Sequence, residues 1–245
     1  VDHGAGASLP AARLHIALGV PQRWANVERS LAARSMAKQL AILPEAQRGA
    51  VLVVGADDDG PGLIAGAMHH LQGHGERDLC LALAADSNVT QPEIDARDRA
   101  GELFTNARQR GRIPGEGAAA LLLAGARFAA GAVADGEAAC LWPAAHESHP
   151  WAVWEERRGS PDVMKTVGDA ALVHAGSNVV NVRAVISDAD HRPVAMVEMG
   201  QWLQDKLPHL TFERDCILLG AACGHLGAAA PMVALALGHH LASNQ

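Results

Sequence analysis

The side chains that could do chemistry gather in a few short stretches. Asp57, Asp58 and Asp59 lie in a turn, Gly55 to Gly62, between an apolar β-branched run, Val51 to Val54, and the helically spaced Leu63 to Leu71. A strand, tight turn and helix in this order is a frequent mount for an enzyme nucleophile, because the turn aims its side chain at the positive end of the helix. Here the turn holds carboxylates and no Ser or Cys. Aspartates in this place also cap a helix by accepting hydrogen bonds from its free N–H groups, which is the simpler reading. A metal centre joining them to His69, His70 and His74 meets a length limit. At about 1.5 Å per helical residue, His69 lies roughly 15 Å from the turn. His70 and His74, four residues apart, could hold zinc as a pair, although no carboxylate is evident on that face.

Further on, Glu116 sits in a glycine-rich turn, where it is expected to tie loops together rather than catalyse. Cys223 adjoins His225 ahead of a helix, a setting that lowers a thiol pKa, against the simpler expectation of a buried inert thiol. His225 reads either as a cap or core residue or as a catalyst. Trp142, Trp151 and Trp154 cluster with His146 and His149, either lining a ligand or partner surface or plugging the space between two halves of the chain.

Composition narrows the choices. The 245 residues are 49% apolar and only 19% charged, enough for a sizeable buried core and far from a disordered composition. A net charge of -7 argues against a nucleic-acid partner, which calls for a basic face. No apolar run approaches the length of a membrane span, and the first residues lack the pattern of a signal peptide. Cys80, Cys140, Cys216 and Cys223 form no CxxC pair and read as reduced thiols, with Cys80 and Cys216 buried, so a cytoplasmic location is expected.

The elements that must position these residues alternate. Arg13 to Val20 reads as a strand, Val27 to Leu43 as a helix closed by Pro44, and Val51 to Val54 as a fully buried strand. A helix over Leu63 to Leu71, a strand from Asp78 to Ala84, a helix from Pro92 to Leu103 and an apolar strand ending at Leu123 complete the first half. The second half offers a helix from Pro161 to Ala175, a strand from Val180 to Ile186 and a helix from Pro193 to about Leu207. A strand from Cys216 to Leu219 and a helix from about Leu226 to Leu241 follow. This is an α/β pattern with helices on the faces of a mixed or parallel sheet. An internal boundary near Gly125 divides it into two similar halves, 1–125 and 126–245.

With these motifs in place, the chain resembles the β-ketoacyl synthases of the thiolase superfamily. Asp59-Gly-Pro-Gly-Leu63 and the following helix match the nucleophile turn, and Leu81-Ala-Leu-Ala-Ala-Asp86-Ser87 looks like the next strand. Gly111-Arg-Ile-Pro-Gly-Glu116-Gly-Ala-Ala-Ala-Leu-Leu-Leu123 is similar to the family's GEGA strand. Cys223-Gly-His225-Leu-Gly227-Ala-Ala-Ala-Pro resembles the GHTxGAAG helix start, one residue short. The resemblance implies a thiolase-like duplicated α-β-α-β-α layered fold, here lacking some terminal strands, and a dimer formed through a sheet edge.

The same resemblance marks where the chemistry departs. A condensing enzyme needs a thiolate to carry the acyl group and imidazoles to promote decarboxylation and hold the oxyanion. By spacing, the nucleophile position falls at or next to Asp58, and a carboxylate cannot form a thioester. With Glu198 aligned to the family's motif glutamate, the first catalytic histidine becomes Ser187; His191, one turn on, is offset from it. His225 matches the second histidine or its neighbour. The implied reading is a ketosynthase-like pseudoenzyme, fatty-acid or polyketide related, acting as a non-catalytic, regulatory or acyl-binding subunit. Its implied partners are a second copy or a ketosynthase-like subunit, and an acyl carrier protein or acyl-CoA. The alternative is an active acyl-thioester enzyme of altered chemistry, a malonyl-thioester decarboxylase or an acyltransferase. Neither a cofactor nor a metal is expected.

Overall fold

Leu14–Pro21 is apolar on both faces apart from His15, and such a strand needs both its faces covered. In the computed structural model, which describes residues 12–56, 62–125, 128, 162–176 and 178–243, this is β1, buried along almost its whole length. It runs parallel to β2 (Arg48–Ala56) on one side and β3 (Leu79–Ser87) on the other. The last strand, β4 (Glu116–Ala124), pairs antiparallel with β3, giving the order β2-β1-β3-β4. Parallel strands require crossover connections, and these carry α1 (Asn26–Leu40) and α2 (Gly62–Gln72), while α3 (Gln91–Arg99) lies between the antiparallel β3 and β4.

Alternation along the strands divides the core in two. Ile16, Leu18 and Val20 point toward α1 and pack with Leu40, while Ala17, Ala82 and Ala84 face α2 with Cys80. The small residues on the second face let Leu63, Ile64 and Ala67 of α2 come down onto the sheet, with Met232 closing the cluster from the far end of the chain. A second pair of parallel strands, β5 (Val185–Ser187) and β6 (Cys216–Leu218), has its own core of Met199, Trp202, Leu203 and Leu207. Around it lie α4 (Asp162–Ala175), α5 (Pro193–Lys206), α6 (Phe212–Asp215), α7 (Leu219–Cys223) and α8 (Ala230–Ser243). The last of these also packs on β4 and β5. No helix among the described residues is long and apolar enough to cross a membrane.

Four expectations need correction. Val51 to Val54 are only half-buried, because β2 is an edge strand. The strand expected from Val180 shrinks to Val185–Ser187, since Val179–Asn181 forms a 3-10 turn. The helix expected from Leu226 opens with a 3-10 turn at Gly227–Ala229. Of the thiols read as buried, Cys216 is only half-buried and Cys223 is exposed, at the solvent side of α7. Asp57 to Asp59, Cys140 and the tryptophan and histidine cluster of 142–154 lie outside the described residues.

The thiols differ accordingly. Burial pushes the Cys80 thiol up to about 11. Burial also raises Cys216, with Asp215 and Glu213 adding to the effect. A maleimide added to the native protein at neutral pH is therefore expected to label Cys223 well ahead of Cys216, and to reach Cys80 only after denaturation. Peptide mapping by mass spectrometry checks the order, and labelling of Cys80 in the native state would contradict this packing.

Candidate functional site

The carboxyl end of β3 is the anchor of the candidate site. Asp86 points its carboxylate inward, buried, and accepts from the Arg23 guanidinium at 2.6 Å and from the backbone N–H of Ala228 at 3.0 Å. The second contact caps the first turn of the helical segment that begins at Gly227 and runs into α8. Gly227 has φ +55°, and a Cβ there would lie 2.2 Å from Asp86 Oδ2, so the close approach requires glycine. Arg23 is shared with Glu93, 2.6 Å away, which ties the start of α3 to the same corner.

Asn88, wholly buried, joins three loops. Its N–H donates to Gly115 O at 2.9 Å, its side-chain amide donates to His225 O at 3.0 Å, and its Oδ1 accepts from Arg97 at 3.1 Å. The turn before β4 and the segment before α8 are laced directly as well. His225 N donates to Ile113 O at 2.8 Å, and Gly115 N donates to His225 O at 3.2 Å. Ser87 Oγ donates to Glu116 at 3.1 Å, so the glutamate of the glycine-rich turn ties loops together, as its place in the sequence suggests. Three of the four stretches singled out in the sequence thus meet at one joint.

His225 is half-buried in this joint. Its Nε2 lies 3.1 Å from Arg112 Nη1. A guanidinium can only donate, so Nε2 is the acceptor and the ring proton belongs on Nδ1. Ser187, at the end of β5, accepts the Ala189 N–H on its hydroxyl at 3.0 Å and so shapes a turn. His191 donates to Gln109 O at 3.3 Å and packs edge-on against Phe104 at 5.0 Å, in a different contact from Ser187. Nearby, Asp190 and Arg192 form a buried pair at 2.8 Å, and Glu198 is buried in α5. The 187–191 segment reaches the joint through Ala221 N, which donates to Ala189 O at 3.2 Å. Asp58 falls outside the described residues.

A cleft of about 570 Å³ opens beside Asp86, lined also by Arg23, Trp24, Glu28, Ser87, Thr90 and Glu93. Neither Ser187 nor His225 lines it. Sequence reasoning passed over Asn88 and Arg112. A polar residue directly after an apolar strand is a usable signal for the first. Nothing local marks Arg112 as the partner of a histidine 113 residues further on.

No family model matches the sequence, and no curated protein matches it. Solved structures do resemble its fold. A β-ketoacyl synthase from Burkholderia phymatum superposes with a TM-score of 0.58 at 17% identity, covering 97% of this chain and 64% of that one. The ketosynthase from module 6 of the bacillaene synthase of Bacillus subtilis gives 0.55 at 15% identity, over 94% of this chain and 43% of that one. A type II polyketide ketosynthase bound to the hexaketide, in complex with its acyl carrier protein (AntDE:AntF), gives 0.56 at 17% identity, over 94% of this chain and 64% of that one. At these identities the likeness establishes the fold, a mixed α/β ketosynthase architecture of the thiolase-like kind. The chain spans 43% to 64% of the lengths of these three structures.

Proposed function

We propose that this chain is a non-condensing protein of ketosynthase fold, serving as an acyl-binding or regulatory subunit beside a ketosynthase-like partner or a second copy of itself. The observation that carries the reading is the Arg112–His225 contact. Condensation and decarboxylation of a malonyl thioester both need an imidazole N–H aimed at the thioester oxygen as charge develops. Here Nε2 is occupied as an acceptor by a guanidinium, and the His225 backbone is bonded on both sides into the joint. Ser187 is bound into a turn and cannot supply the missing imidazole. Aspartate at the nucleophile position would leave nothing to carry a thioester.

Partner binding is supported by two features. The outer edges of β2 and β4 pair with no other strand among the described residues, and an open edge is a template for a second chain. One structural neighbour is a ketosynthase in complex with its acyl carrier protein, the class of partner proposed for this chain.

Incubation with malonyl- and acyl-carrier thioesters, followed by intact-mass spectrometry and CO₂ measurement, tests the proposal. The expected result is no covalent adduct and no CO₂ above the protein-free control. CO₂ release abolished by His225→Ala would overturn it in favour of a decarboxylase, and an acyl adduct would favour an acyltransferase.

A further inference from the structure

We propose that His15, His70 and His74 form a zinc-binding site at the amino end of β1, with Asp78 orienting His15 behind it. The site is separate from the joint at His225 and stands or falls independently of the condensing chemistry.

The third ligand is the one a helix pattern cannot reveal. His15 occupies β1 on the face that Ala17 turns toward α2, and it is almost fully buried. Opposite it the pairing of β1 and β2 steps from Leu14↔Arg48 to Ile16↔Val51, so that Gly49 and Ala50 together face one residue. Such a bulge re-aims a strand side chain and recurs beside functional sites. A Cβ on Gly49 would lie 2.7 Å from His15 Cγ, so the imidazole fits against β2 only because residue 49 is glycine.

Two more imidazoles meet it there. His70 is in the last turn of α2, and His74 follows two residues after the helix ends. Ring centroids are 4.5 Å apart for His15 and His70, 4.7 Å for His15 and His74, and 4.0 Å for His70 and His74. One ligand nitrogen from each lies within 4.8 Å of the other two. Tetrahedral zinc with bonds of about 2.0–2.1 Å needs ligand nitrogens roughly 3.4 Å apart, within reach of small ring rotations. His70 Nε2 is already 2.8 Å from His15 Nδ1, and His74, though exposed, is held beside them by a hydrogen bond from its Nδ1 to His70 O at 2.8 Å.

The surroundings suit a dication. Asp78 Oδ2 lies 3.4 Å from His15 Nε2, and its other oxygen accepts the Arg13 N–H at 3.1 Å. A carboxylate behind a histidine fixes the proton on the far nitrogen and leaves the near one to the metal, the usual second layer of a zinc site. Nδ1 of His15 also accepts the Ala50 N–H at 3.0 Å, so zinc exchanges that hydrogen bond for a coordinate bond. The carboxyl end of the α2 dipole adds negative potential where the cation would sit. Zinc would then tie the start of β1 to the end of α2, with water in the fourth position on the exposed His74 side.

The test titrates chelator-treated protein with zinc alone, read by calorimetry and thermal unfolding. The first equivalent is expected to bind one per chain and to raise Tm by about 5–10 °C at a hundredfold excess over Kd. His74→Ala and His70→Ala should each weaken that binding by more than about tenfold, and Asp78→Asn by about 10–100-fold. His239→Asn with His240→Asn, on α8, should leave it unchanged. His15→Ala threatens the fold, so the exposed His74 carries the decision. Failure of the wild type to take up one zinc, or a His70→Ala/His74→Ala double variant that binds it as tightly, would overturn the proposal.

Discussion

Replacing Gly227 by alanine is expected to lower Tm by about 6–12 °C, which corresponds to a loss of roughly 3 kcal/mol or more in a chain of this size. Two costs combine. A left-handed φ of +55° charges an L-residue about 1–2 kcal/mol. The new Cβ then meets Asp86 Oδ2 at 2.2 Å and Asn88 Nδ2 at 3.0 Å. The carboxylate cannot retreat, because Arg23 and the Ala228 N–H hold it from two sides. Gly238→Ala in the middle of α8 is the control: its Cβ would meet only Ile186 Cδ1 at 3.7 Å, an ordinary contact. Helix propensity makes that change neutral or stabilising by up to about 1 kcal/mol. Thermal unfolding followed by circular dichroism compares the two, and equal Tm values would show that the Asp86–Gly227 contact is not formed in solution.

Asn88→Ala is expected to cost about 2–4 kcal/mol, with the denaturation midpoint falling and the slope unchanged. The truncation leaves a small void at a wholly buried position and removes a donor from His225 O and an acceptor from Arg97. Neither partner is stripped completely, since His225 O keeps the Gly115 N–H and Arg97 keeps Glu102 at 3.3 Å. That sets the upper bound on the loss. Asn88→Asp separates the two terms, because it keeps the Arg97 acceptor but sets a carboxylate oxygen against the His225 carbonyl. It should destabilise at least as much as alanine if the amide donor is what matters. A loss within about 0.5 kcal/mol for both variants, as at an ordinary surface site, would contradict the joint as described.

Much of the frame around this joint is legible in the sequence. The apolar run from Arg13 to Val20 announces a strand, and the glycine-rich run ending in Glu116 announces a turn feeding β4. Sheet order is a different matter. Val51 to Val54 look as apolar as β1, yet β2 lies at the edge, and nothing in a single strand says how many neighbours it has. The β-branched residues of 179–182 suggest a strand, but the Asn178 side chain accepts the Val180 N–H and starts a 3-10 turn instead. His70 and His74 declare themselves by helical spacing. His15 joins them only through a bulge that brings together residues 55 positions apart in the chain.

The wide spacing of the joint in sequence also sets an order of events on the ribosome. Asp86 must wait for Ala228, 142 residues later, and Asn88 for His225, 137 residues later. At about 5–20 residues per second, that wait is roughly 7–28 s after Asp86 has been made. During this interval the β1–β3 core with α1 and α2 can already collapse through contacts close in sequence, while the carboxylate of Asp86 has only Arg23 and water to satisfy it. The joint at His225 is therefore a late event in folding, and lesions in it are expected to speed unfolding far more than they slow collapse.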